Sequence, residues 1–204
     1  MTGSDAKKRA YHHGNLAEAL VKAGLDILTE GDLSKFTLRE CARRAGVSHA
    51  APKNHFASLD ELKSEIAARG FEQMVRDLDA AADAAPSQGP DDRLIAMGKA
   101  YVGFATANSA AYLMMFRDRS SFERTAHYRE AGEAAWSQLE TGVAAVLGPG
   151  RADVQECAAH AFALVHGFAS LIIDGRLPPG VETDSAIAAS LASLPRALRG
   201  LGSA

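Results

Sequence analysis

Residues 37–62 read TLRECARRAGVSHAAPKNHFASLDEL, and the order of starts and stops along this stretch decides the fold. Thr37 followed three residues later by Glu40 has the pattern of a capping box, in which the hydroxyl accepts from a backbone N–H and the carboxylate reaches back. That pattern opens a short second helix. Gly46 stops it at Ala45, because glycine reaches positive φ without steric cost. Ser48 then stands where a cap for a third helix, ending near Phe56, is needed. Ser58 and Glu61 repeat the capping box and open a long fourth helix.

Pro52 is the awkward residue. With Ser48 as N-cap it occupies the fourth helical position, where its missing N–H forfeits only the first intrahelical bond. It also pushes Ala51 toward extended backbone, so the first turn is tight or irregular. On this reading Pro52 stiffens the helix; the alternative is that the third helix simply starts later.

Working outward, Leu16, Leu20, Ala23 and Ile27 recur at helical spacing and predict a first helix from about His13 to Glu30, capped by Asn15 with Glu18 and ended by Gly31 and Asp32. Ala42 is small enough to let the second and third helices approach, while Cys41, Ala45 and Val47 are apolar where that pair must pack on the first. The fourth helix carries a stripe of Ala67, Phe71, Met74 and Leu78 and runs to about Ala84. APSQGPDD, residues 85–92, is the clearest linker. Further helices are expected near 91–107, 109–117, 125–147, 151–174 and 183–200, with no convincing strand. The chain is expected to be all-α: a helix-turn-helix domain over 1–57, then a helical bundle over 58–204 reached through a connecting helix, 58–84.

The 204 residues are 47 % hydrophobic with only 6 % aromatic, which suits a helical globular protein. No apolar run approaches the roughly 20 residues that span a bilayer, and the basic N-terminus is followed by no apolar segment of the secretory kind. Cytoplasmic residence follows as an expectation. Cys41 and Cys157 match no metal-ligand or disulfide spacing and are expected to pack as small hydrophobes. Charge is unevenly divided. Through Phe56 nine Lys/Arg stand against six Asp/Glu, and beyond it thirteen against nineteen. A basic first section on an acidic body points to a polyanionic partner for that section.

Residues 13–62 resemble the DNA-binding domain of the TetR family of bacterial transcription regulators. The resemblance is carried by Thr37-Leu38-Arg39, by Ala42, by Ala45-Gly46-Val47-Ser48 at the turn, by His55-Phe56, and by Ser58-Leu59-Asp60-Glu61-Leu62. The family usually has tyrosine where this chain has Lys53, and that tyrosine commonly meets a DNA phosphate. Lysine supplies the same contact as a point charge. The C-terminal part is similar to a TetR subgroup named for a Trp-His-Gly tripeptide, here Val165-His166-Gly167, with SAAYLMMF at 109–116 and YHHGNL near the start agreeing.

The resemblance implies a homodimeric repressor on a palindromic operator, released by a small effector. Candidate DNA contacts are Thr37, Arg39, Arg43, Arg44, Ser48, His49, Ala50, Lys53, Asn54 and His55, with Lys7, Lys8 and Arg9 as an arm or a solubilising tail. One of the three helix-two arginines is expected at phosphate and the others solvated or paired with Glu40. Tyr101, Phe104, Tyr112, Met115, Phe116, Trp136, Phe162 and His166 are candidate linings for an apolar or aromatic ligand, or else plain core. Ile187, Leu191, Leu194 and Leu198 form one apolar stripe and Cys157, Ala161, Leu164, Phe168 and Leu171 another, at the spacing of helices that pack on helices. They face either a second copy or the chain's own core. Adjacent His12 and His13, and His160 six residues from His166, fit no metal-ligand spacing. No cofactor is expected, and no nucleophile–base arrangement, phosphate-binding glycine loop or HExxH spacing suggests an enzyme.

Overall fold

The computed structural model describes residues 3–31, 33–116 and 125–201, with side chains from Leu16 onward, Leu33 excepted. The side chains of Lys7, Lys8, Arg9, His12, His13 and Asn15, all of Asp32 and the end of the 109–117 helix lie outside the described residues. Eight α-helices follow in order: α1 Gly3–Thr29, α2 Leu38–Arg44, α3 Leu59–Asp83, α4 Pro90–Ala107, α5 Ser109–Phe116, α6 Ala126–Leu147, α7 Val154–Ile173 and α8 Thr183–Gly200. Short 3₁₀ turns occupy Leu33–Lys35 and Ala51–Asn54, and there is no strand among the described residues. The chain is all-α.

Two differences from expectation are local. α1 begins at Gly3, ten residues before the expected His13, so Asn15 lies inside it. The third helix is a single 3₁₀ turn, and Ser48 caps nothing with its side chain. The reason is the proline. An α-helix capped at Ser48 would make its first bond from the N–H of residue 52 to the Ser48 carbonyl, and Pro52 has no N–H. Ala51 N–H takes that carbonyl instead, at 3.0 Å, which commits the segment to the tighter i→i+3 pattern.

The chain divides into two compact units, residues 1–70 with 110–130 and residues 71–109 with 131–204. In the first, Leu20, Ile27, Cys41, Ala42, Leu62, Ile66 and Tyr112 are all but fully buried, with Phe36 and Phe56 closing the core. Gly24 allows α1 to lie close on α3. A Cβ there would fall 2.9 Å from Ile66 Cδ1 and 3.1 Å from Phe36. At the first turn of α6 the Thr125 N–H donates to the fully buried Ser64 hydroxyl at 3.2 Å. His127 Nδ1 lies 2.9 Å from Glu65, whose other oxygen accepts from Arg69 at 2.7 Å, and Arg69 also pairs with Glu18 at 2.6 Å. Burial pushes the Glu65 carboxyl up, but the hydrogen bonds from His127 and Arg69 outweigh it and hold it below its ordinary range.

In the second unit α4 packs mainly on α7 and α8. Gly98 makes that approach close, since a Cβ there would stand 2.6 Å from a Leu191 methyl. The apolar stripe of α8 faces inward. Ile187, Leu191, Leu194 and Leu198 are between 0 and 8 % exposed within the single chain, and Cys157 and Ala161 of α7 are buried beside them. These six therefore hold the unit together rather than meeting a second copy, each aliphatic side chain contributing about 1.5–3 kcal/mol. Of the expected interface only Leu164 and Phe168, half-buried, and Leu171, 40 % exposed, are left accessible.

α7, 20 residues long, is the one described helix that is long and apolar enough, by length and composition alone, to cross a membrane, although polar residues interrupt it so that it holds no continuous apolar run of that length. An 18-residue window within it reaches a mean hydropathy of 1.5. Cys157, Ala158, Ala161, Val165 and Ala169 on it are core residues of the second unit.

Candidate functional site

The first unit offers a helix, a tight turn and an exposed polar edge. Thr37 is extended at φ −134°, ψ 150°, and its Oγ1 accepts from the Glu40 N–H at 3.2 Å, so the hydroxyl half of the expected capping box forms. The Thr37 N–H bonds instead to Lys35 O at 2.8 Å, and the Glu40 carboxylate turns to Arg43 and Arg44. At the other end of α2, Gly46 sits at φ +70°. Gly46 N–H bonds to Arg43 O at 3.2 Å and Val47 N–H to Ala42 O at 3.0 Å. These are the two closures of a Schellman motif, which satisfies the last carbonyls of α2 while reversing the chain.

Beyond the turn, Pro52 and Phe56 are buried and anchor the 3₁₀ segment, leaving Ser48, His49, Ala50, Lys53 and Asn54 exposed and His55 half-exposed. Pro52 lies in the first turn of that segment, where an N–H has no intrahelical acceptor. One buried proline thus both shortens the element and seats it.

The arginines of α2 divide sharply. Arg43 donates to both oxygens of Glu40 at 2.7 Å. Arg44 reaches Glu40 at 3.1 Å and clamps Glu30, on the turn after α1, with two bonds of 2.6 and 2.7 Å. The hydrogen bonds from Arg43 and then Arg44 hold the Glu40 carboxyl down at about 2. Arg44 likewise holds Glu30 below its ordinary range. Arg39 is exposed and forms no ion pair among the described residues. Sequence spacing made the Glu40 pairing legible; Glu30, fourteen residues from Arg44, gave no such signal.

The eight candidate ligand-lining residues are divided between the units. Tyr101, Phe104, Trp136, Phe162 and His166 belong to the second. There the Tyr101 hydroxyl is hydrogen-bonded to His166 Nδ1 at 3.0 Å, and Phe162 stacks edge-on against Tyr101 and Trp136, both at 6.2 Å, and lies 4.9 Å from His166. Trp136, 37 % exposed, donates from Nε1 to Glu140 at 2.8 Å. Tyr112, Met115 and Phe116 belong to the first unit, with Tyr112 fully buried and 5.0 Å from Phe116. Among the described residues no cluster of three His, Cys, Asp or Glu side chains is arranged to hold a metal.

An all-helical chain with a helix-turn-helix at its start and a helical body behind it is the architecture of one class of bacterial regulator. Residues 94–194 match the family model of the tetracyclin repressor-like C-terminal domain. A protein of unknown function from Rhodococcus sp. RHA1 is 33 % identical over 93 % of this chain and 98 % of its own, with a TM-score of 0.79. PfmR, a TetR family transcriptional regulator from Thermus thermophilus, shares the fold at 15 % identity and a TM-score of 0.65, over 87 % of this chain and 97 % of its own. So does AibR, solved with isovaleryl coenzyme A and operator DNA, at 15 % identity and a TM-score of 0.63, over 88 % and 97 %. No curated protein matches the chain by sequence. The chain belongs to the TetR family.

Proposed function

We propose that this chain is a DNA-binding transcriptional regulator, a homodimeric repressor that leaves a palindromic operator when a small apolar or aromatic ligand binds its helical body. The observation that carries the reading is the exposed edge Ser48–Ala50 with Lys53 and Asn54, seated by buried Pro52 and Phe56 and aimed by the Schellman turn. A turn this short presents a few polar atoms on a rigid backbone, as base-edge and phosphate contacts in a major groove require. Lys53 and Arg39 supply point charges for phosphate; Arg43 and Arg44 serve the motif's own structure through Glu40 and Glu30. The domain boundary in this reading falls at 57/58.

AibR, a relative in fold, was solved with both an acyl-coenzyme A and its operator, which supports ligand control here. By linkage, a ligand that weakens operator binding by some factor is itself bound more weakly by that factor on DNA, typically 1–3 kcal/mol. The C-terminal part is read as that of the Trp-His-Gly subgroup, with His166 engaged by Tyr101. The dimer is read through the outer face of α7, where Leu164, Phe168 and Leu171 stay accessible, and the neighbouring face of α8.

The test is fluorescence anisotropy on duplex DNA from upstream of the chain's own gene, at ~0.1 M salt and over a salt series. Saturable, salt-dependent binding to one segment over a scrambled duplex is expected. The second reading, a ligand-binding module without DNA recognition, is favoured by the pairing of Arg43 and Arg44 to carboxylates, and equal weak binding to every duplex would select it.

A further inference from the structure

A cavity of ≈ 610 Å³ opens in the second unit between α4, the end of α7 and the start of α8, away from the aromatic cluster of Tyr101 and His166. Its size lies within the usual range of small-molecule sites. Val102 and Ile187, both buried, and half-buried Ile172 give it an apolar floor. Gly103 lines it with no side chain, and a Cβ there would meet nothing within 4 Å. Thr106, Thr183 and Ala188 also line it, together with two opposite charges, the exposed Lys99 ammonium on α4 and the exposed Asp184 carboxylate on the first turn of α8. They share one groove, yet neither forms an ion pair with the other or with any described residue.

We infer that this groove binds an apolar molecule carrying both a free amine and a free carboxylate, of the class of short apolar peptides. The carboxylate meets Lys99, the amine meets Asp184, and the apolar body lies over Val102, Ile172 and Ile187. A simple fatty acid would leave Asp184 facing its anion, and a phosphate dianion would find one ammonium against one carboxylate. Only a ligand with both charges satisfies both ends. The proposal deepens the effector reading and rests on it for any effect on DNA, but binding itself is measured on the full chain without DNA, so the two fail separately.

The probe is leucylleucine, compared with its N-acetyl and C-terminal amide forms by titration calorimetry. The wild-type chain is expected to bind the free dipeptide about fivefold more tightly than either capped form, the scale of one exposed charge pair. K99M should erase the preference for the free carboxylate alone, and D184N the preference for the free amine alone. Gly103→Leu places a side chain in the open groove at a helical position where leucine is the better former, so the chain keeps its fold while binding falls at least about tenfold. Thermal melting of Gly103→Leu unchanged or raised checks that fold. The proposal is overturned if the dipeptide does not bind, if the capped forms bind equally well, or if binding survives Gly103→Leu. It is also overturned if that variant shifts a dimer to monomer in light scattering, which would give the groove to a second copy.

Discussion

The two halves of the helix-turn-helix are built from similar residues and use them in opposite ways. α2, Leu38–Arg44, spends its charges on itself: Glu40 takes Arg43 and Arg44, and Arg44 clamps Glu30. The 3₁₀ turn Ala51–Asn54 hides its apolar residues and leaves Lys53 and Asn54 uncommitted at the surface. Within one motif, therefore, a basic residue is not evidence of contact with a polyanion. What matters is whether a carboxylate already holds it.

The sharpest way to break this contrast is to remove an anchor from the second half. Phe56→Ala should lower unfolding free energy by about 3–5 kcal/mol in a denaturant titration, since it empties a core position of the first unit. A loss under about 1 kcal/mol would mean that the turn is not seated by that ring. Gly46→Ala comes next, at about 1–2 kcal/mol, because the site sits at φ +70° and the Schellman closure depends on it. Lys53→Ala and Arg39→Ala should leave melting unchanged while weakening operator binding and reducing the log–log salt slope by about one each. Arg43→Ala should reduce that slope by much less, its guanidinium being already paired with Glu40. Equal losses for Arg39 and Arg43 would erase the distinction between the halves.

The smallest effect is on acid stability. Glu40 titrates at about 2 when folded against an ordinary 4.5, a lowered value, so its contribution is present above 4.5 and is lost as pH falls toward 2. Glu40→Gln should flatten the dependence of melting temperature on pH within that window and leave it unchanged above pH 6. A variant as steep as the wild type between 4.5 and 2 would show that the Arg43 and Arg44 bonds are not made in solution.

How legible all this was in the sequence depends on how local the cause is. The caps at Thr37 and Ser58, with Glu40 N–H on Thr37 and Glu61 N–H on Ser58 at 3.1 Å, and the stop at Gly46 are decided within a few residues and could be read directly. Ser48 looked like a third cap and is not one, because the relevant fact was a missing donor four residues on. Periodicity marked the apolar face of α8 correctly but carries no information on which surface covers it. Leu191 lies against Gly98 of its own chain, ninety-three residues away. The groove at Lys99 and Asp184 had no sequence signature for the same reason, as its two charges come to line one groove only through the packing of α4 against α8.

The cysteines have a use that neither half of the motif suggests. Cys41 lies in the first unit and Cys157 in the second, both free and both fully buried. Burial pushes the Cys41 thiol up to about 11 and raises Cys157 as well, so neither is a thiolate at neutral pH and neither reacts with a disulfide reagent from within the folded chain. Modification must wait for the surrounding unit to open. Each sulfur is thus a clock for one unit, and with rapid closing the rate of labelling reads the opening free energy of that unit alone. Running the two clocks side by side, with and without DNA or ligand, would tell which unit each partner tightens.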